Sequence, residues 1–291
     1  MIMKNIKKMI TSPIATVVLF VLAAGLLLFS TIGGVRAALV YQSQDYKGQV
    51  QMYDIGVSLL EKCAGDDEAR EVAKRVYDKG SNGQGTQDEW IETSDELLKA
   101  EYFLGKDKDN KIKEFVPGQT YKEELSVKNS GTIDEYVRVT VYRYWRDPNG
   151  NKILTTDDAK TASAEGFTQN LWPGLIDLHL TNTDSWLLDE ESTTEERIVV
   201  YYNKILPAGE DLSKTPLCDT LTIDRRVADK ATQTVTDDGK TIVTKYDYDG
   251  WQFCLEAEVD AVQTHNAEDA IRSAWGRDVN ISDDGTLTLV K

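Results

Sequence analysis

The sequence predicts an all-β chain, a jelly-roll-like antiparallel β-sandwich with a helical insertion and a short C-terminal helix. Residues 125–145 hold two runs of alternating apolar and polar residues around Asn129-Ser130-Gly131-Thr132, the small polar residues that turns favour. In the second run Val137, Val139 and Val141 fall on one face, and Tyr136, Arg138, Thr140, Tyr142 and Tyr144 on the other. Residues 251–261 alternate as cleanly, with Trp251, Phe253, Leu255, Ala257, Val259 and Ala261 against Gln252, Cys254, Glu256, Glu258 and Asp260. About eight such runs, each bounded by turn residues, imply a sandwich.

The chain of 291 residues opens on Lys4, Lys7 and Lys8, continues through an apolar run at 14–29, and reaches small residues up to Ala37-Ala38. That order is the order of a secretory signal peptide. Val35 and Ala37 suit the positions that a signal peptidase reads, which places the cut between Ala37 and Ala38. The alternative is an uncleaved membrane anchor, since residues 14–35 approach the roughly 20 needed to span a bilayer. Gly25 and Gly33-Gly34 weaken that helix and favour cleavage. Residues 1–37 are therefore read as the signal peptide, and 38–291 as one β-sandwich domain with a helical insertion at about 64–105.

Residues 39–60 are extended in character, with Tyr53, Ile55, Val57 and Leu59 on one face and bends at Gly48 and Gly56. From Asp66 the pattern changes. Asp66-Asp67-Glu68 suits the positive end of a helix, and Val72, Val76 and Tyr77 follow at helical spacing up to Gly80. Thr86 with Glu89, followed by Trp90, Ile91, Leu97, Leu98 and Tyr102, predicts a second helical segment. Asp107, Asp109 and Asn110 echo a calcium loop, but Lys111 takes the next ligand position, so a charged turn is expected. Strands follow at 121–127 and 137–141, a turn at Asp147-Pro148-Asn149-Gly150, and a polar stretch at 157–166. Further strands are expected at 176–180, 197–206 (apolar on both faces) and 217–223. A hairpin turns at Asp237-Asp238-Gly239, the strand at 251–261 follows, a helix runs from Asn266 to Trp275 with Gly276 as its stop, and the last residues form a tail or edge strand.

The net charge of −16 disfavours nucleic acid and anionic membranes as partners. Three cysteines, Cys63, Cys218 and Cys254, without a CxxC pair, give no zinc-site spacing. Cys218 and Cys254 fall opposite the apolar residues of their strands, so both should face outward, as a cross-strand disulfide or as two separate thiols. His179 and His265 are the only histidines, and no zinc-protease, serine-hydrolase, phosphate-loop or dinucleotide motif is present. No catalytic residue, cofactor or metal ligand is expected. The Glu256, Glu258 and Asp260 face reads as solvated. Tyr136, Arg138, Tyr142 and Tyr144 form the most distinctive candidate interface, because Tyr and Arg dominate protein interfaces. The chain's own helices are the alternative cover for that face.

FSTIGGVRAAL at 29–39, PGQTYKEELSVKNSGTIDEYVRVTVYRYW at 117–145, LPAGE at 206–210 and EVDAVQTHNAEDAIRSAWG at 258–276 together resemble the TasA/camelysin group of secreted proteins. The resemblance implies an ER-type signal peptidase acting on the leader. It also implies a jelly-roll subunit built into biofilm matrix fibres at the surface of a Gram-positive bacterium. Its partner would be itself, as a homopolymer, or other matrix proteins, with membrane contact only through an uncleaved leader. In such fibres the mature N-terminal segment completes the sheet of the next subunit. Leu39, Tyr53, Ile55, Val57 and Leu59 have the position and pattern for that exchange. A monomeric cell-surface binding or adhesion module is the alternative. Camelysin has been described as a metalloprotease, an activity for which this chain offers no motif.

Overall fold

Strand-forming alternation becomes two facing sheets. The computed structural model describes residues 54–79, 86–93, 95–153, 171–228, 231–235, 242–246 and 250–290. The leader with Ala37 and Ala38, Leu39 and Tyr53 of the exchange segment, the stretch 157–166 and the turn at Asp237-Asp238-Gly239 lie outside the described residues. Among the described residues no helix is long and apolar enough to cross a membrane.

The first sheet contains β1 (Gly56–Cys63), β2 (Arg70–Lys79), β3 (Thr86–Glu92) and β4 (Thr120–Asn129). It also contains β6 (Ile176–Leu180) and β9 (Cys218–Ile223), in the order β3-β2-β1-β4-β9-β6. The second contains β5 (Glu135–Arg146), β7 (Trp186–Leu188), β8 (Arg197–Tyr202) and β12 (Gln252–Gln263), in the order β12-β5-β8-β7. All their pairings are antiparallel. Two ribbons complete the strands, β10 (Ala231–Val235) with β11 (Ile242–Tyr246), and β13 (Val279–Ile281) with β14 (Leu287–Leu289). Among the described residues the α-helices are α1 (Ala100–Phe103) and α2 (Ala267–Trp275).

The apolar faces of the two sheets meet in one core. Val57, Leu59, Leu125, Val127, Ile176 and Leu221 come from the first sheet, and Val137, Val139, Val141, Val200 and Val259 from the second. Burying these side chains is the main stabilising term, about 1.5–3 kcal/mol for each fully buried aliphatic. The tight turn between β4 and β5 depends on Gly131, where an added Cβ would lie 2.5 Å from the Asp54 carbonyl oxygen. Gly276 ends α2 at φ 67°, as the sequence suggested, although Asn266 makes no side-chain cap.

The helical insertion is not formed. Residues 70–79 and 86–92 pair as the antiparallel strands β2 and β3, and among the described residues of 64–105 helix is confined to the four residues of α1. The reason is a bulge. Leu59 pairs with Ala73 and Leu60 with Glu71, leaving Val72 unpaired, so Val72 and Ala73 both turn into the core. Neighbouring inward residues broke the period of two and mimicked helical spacing.

The same device overturns the cysteine reading. Leu180 pairs with Cys218 and His179 with Thr220, so Asp219 bulges and Cys218 points inward, fully buried. There its thiol contacts the Glu123 carbonyl and the Leu125 amide at 3.3 Å each, where β9 parts from β4. Cys218 and Cys254 lie in different sheets, and all three cysteines are free thiols.

Candidate functional site: the free edge of β12

β12 is the longest strand together with β5, pairs with β5 along all its residues, and forms one end of its sheet. In an antiparallel strand each residue turns its own N–H and C=O to one side, alternately toward and away from the neighbour. The Ala261 amide donates to the Tyr77 hydroxyl at 3.0 Å, away from β5. The amides and carbonyls of Leu255, Ala257 and Val259 therefore face away from β5 as well. No backbone bond satisfies them among the described residues.

The facing sheet extends further. β12 packs across β1 and β2, while β3 continues the first sheet beyond that point. The result is a groove of about 440 Å³ between the edge of β12 and the inner face of the hairpin. Leu255 and Ala257 form one wall, and Val72, Ala73, Trp90 and Leu97 the other, with Glu92, Thr93, Glu96, Glu256 and Glu258 completing the lining. The bulge at Val72 thus supplies apolar floor to the groove. Further along β12 lies a charge cluster. Asp260, 6% exposed, is ion-paired to both Arg75 and Arg138, and the Arg138 guanidinium lies 5.2 Å from the Trp275 ring. The acidic face expected to be solvated is therefore partly built into the fold. Glu256 also accepts a hydrogen bond from the Tyr144 hydroxyl.

The chain arrives at β1 at the same end of the sandwich. The Ser130 and Gly131 amides donate to the Gly56 carbonyl at 2.8 and 2.9 Å, and the Thr132 amide to the Asp54 carbonyl at 2.8 Å. Gln263, the last residue of β12, pairs with Glu135 just beyond that turn. Asp54, the first described residue, therefore lies at the same end of the sandwich as the last residue of β12.

The sequence-predicted residues divide. Val57 and Leu59 sit in β1, paired on both sides by β2 and β4, so they belong to their own sheet and are not free to exchange. Ile55 packs against the core. The exchange candidate thereby narrows to the residues before Asp54. The Tyr136, Arg138, Tyr142, Tyr144 face is largely covered by the chain itself. Tyr136 is buried with Tyr201 under α2 and the β13–β14 ribbon, and its hydroxyl donates to the Gly285 carbonyl at 2.9 Å. Tyr144 is buried, with the Lys152 ammonium 4.2 Å from its ring, while Tyr142 stays half-buried. His179 is exposed and paired to Asp219 at 2.7 Å, and the Asp107 carboxylate organises its own turn through the Asp109 and Lys111 amides.

One polar cluster escaped sequence reasoning. Glu61, Cys63 and Glu123 are buried on the inner faces of β1 and β4, with one donor atom from each within 4.8 Å of the others. The Cys63 thiol donates to Glu123 Oε2 at 3.2 Å, and the Leu98 amide to Glu61 Oε1 at 2.7 Å. Arg70 pairs with Glu61 and, at 2.8 Å, with Asp66, and stacks 4.1 Å from the Tyr102 ring. Burial holds both glutamates above the ordinary carboxylate range, and the Glu61 charge adds to the effect on Glu123. Burial and the Glu123 charge push the Cys63 thiol up. A signal was present: Glu123 interrupts the apolar stripe Tyr121, Leu125, Val127, and Glu61 continues Val57 and Leu59. No family model, curated protein or solved structure matches the chain.

Proposed function

We propose that the protein is an exported structural subunit that assembles into fibres by adding the N-terminal segment of one copy to β12 of the next. The free edge of β12, standing over an apolar floor that the facing sheet extends beyond it, carries this reading. An unpaired edge of this length is a template for another strand, and native proteins normally blunt it. A strand laid there would satisfy the outward groups of Leu255, Ala257 and Val259 and set alternate side chains over Val72, Ala73 and Trp90. The segment before Asp54 has the required pattern, with Tyr46, Val50 and Met52 alternating against Lys47, Gln49 and Gln51. Its 16 residues after the proposed leader cut, 38–53, span at most roughly 55 Å when extended, enough to run the 12 residues of β12.

The resemblance to the TasA/camelysin group points the same way, toward a jelly-roll matrix subunit, cut by an ER-type peptidase and retained outside a Gram-positive cell. Strand addition needs no catalytic residue, and this reading assigns none. The test removes residues 38–52 from the exported chain. The parent should form filaments visible by electron microscopy, and the shortened chain should remain monomeric by light scattering. Filaments from both chains, or from neither, would contradict it. A monomeric parent would favour the adhesion-module alternative.

A further inference from the structure

We propose that Glu61, Cys63 and Glu123 form a binding site for one divalent cation of the zinc class. The register of β1 and β4 builds it: Cys63 lies opposite Glu123 and Glu61 opposite Leu125, so all three side chains converge on the inner face at one end of the core. Three donors within 4.8 Å, one a thiol and two carboxylates, match the ligand types of this cation class. A tetrahedral ion with bonds near 2.0–2.3 Å sets its donors about 3.5 Å apart, and the Cys63 thiol already lies 3.2 Å from Glu123. Hard cations such as calcium need six or more oxygen ligands, which this thiol-containing trio does not supply.

Glu123 provides the independent observation. Its side chain is fully buried, yet Oε1 has no hydrogen-bond partner. A buried carboxylate oxygen without a donor is costly, on the order of 1–3 kcal/mol or more. Arg70 neutralises Asp66 and one oxygen of Glu61 but forms no ion pair with Glu123. A cation placed between Glu123 and Cys63 would remove both deficits. The turn that carries Asp66 and Arg70 would then orient the site, since Asp66 accepts from the Cys63 amide at 2.8 Å. Binding must release the Cys63 thiol proton. The trio fills three of the four positions of a tetrahedral ion and would clip two neighbouring strands together, independently of the assembly reading.

The test uses the full chain, stripped with a chelator and titrated with zinc and with cobalt. One zinc per chain should bind, raise the melting temperature and be reversed by the chelator. Cobalt should give a thiolate-to-metal charge-transfer band. Glu123→Gln and Cys63→Ala should each lose stoichiometric uptake, while Cys218→Ala, which removes a buried thiol outside the trio, should keep it. A folded parent that takes up no zinc, or binds cobalt without a thiolate band, would overturn the proposal even where a variant fails to fold. Unchanged uptake in both Glu123→Gln and Cys63→Ala would overturn it equally.

Discussion

Glu135 shows how one buried side chain couples the fold to pH. It is fully buried at the start of β5, and burial pushes it up to about 9, with the Gly56 amide offsetting part of the shift. In the unfolded chain it titrates near 4.5. The folded state therefore keeps a proton that the unfolded state loses. The stability gained from the neutral carboxyl is complete below pH 4.5 and declines as pH rises toward 9. Glu135→Gln keeps the shape and removes the titration. It should stabilise the protein at pH 8 by on the order of 2 kcal/mol, a rise of about 4–8 °C in melting temperature, and change little at pH 4. Thermal unfolding at the two pH values checks this, and an equal offset at both would contradict it. Asp260 is the opposite case: a buried carboxylate met by two arginine partners. Neither environment was legible in the sequence, because a carboxylate's partners come from strands far away in the chain. Arg75 is 185 residues from Asp260.

At the scale of elements, the sequence was legible wherever a strand kept its period. The valines of β5 and the apolar set of β12 stand inside, as their alternation indicated, and the turns at Asn129-Ser130-Gly131-Thr132 and Asp147-Pro148-Asn149-Gly150 form. It misled at the two bulges. Val72 turned the β2–β3 hairpin into an expected helical insertion, and Asp219 turned an inward Cys218 into an expected outward one. A bulge is one residue in length and leaves no compositional mark, so periodicity cannot find it. The β4–β5 turn carries a sharper expectation. Gly131→Ala would drive a Cβ to 2.5 Å from the Asp54 oxygen and 2.7 Å from the Gly56 nitrogen, both backbone atoms. It should cost about 2 kcal/mol or more and loosen the start of β1. Chemical denaturation measures the loss, and a change within about 0.5 kcal/mol would show that the turn can move aside. The β12 edge offers a cleaner variant. The Ala257 amide faces away from β5, so Ala257→Pro spares the ladder while removing a donor from the free side. The variant should keep the parent's circular dichroism and form no filaments. Filaments of normal length would place the assembly contact elsewhere.

At the scale of the whole molecule, two sheets of unequal width leave part of the wider one without a facing strand beside β12 among the described residues. The net charge of −16 suits the proposed exported subunit, since like-charged copies repel at a distance. In the proposed assembly, docking is governed by short-range pairing: backbone groups at the edge, and apolar side chains over the hairpin. The account stands most directly on where the N-terminal segment pairs. Amide hydrogen exchange, compared between the chain lacking residues 38–52 and the same chain with a peptide of residues 38–53 added, measures that. Strand addition predicts slowed exchange at Leu255, Ala257 and Val259, with the β5-facing amides of Glu256 and Glu258 unchanged. Equal exchange at all five with the peptide in excess would contradict it.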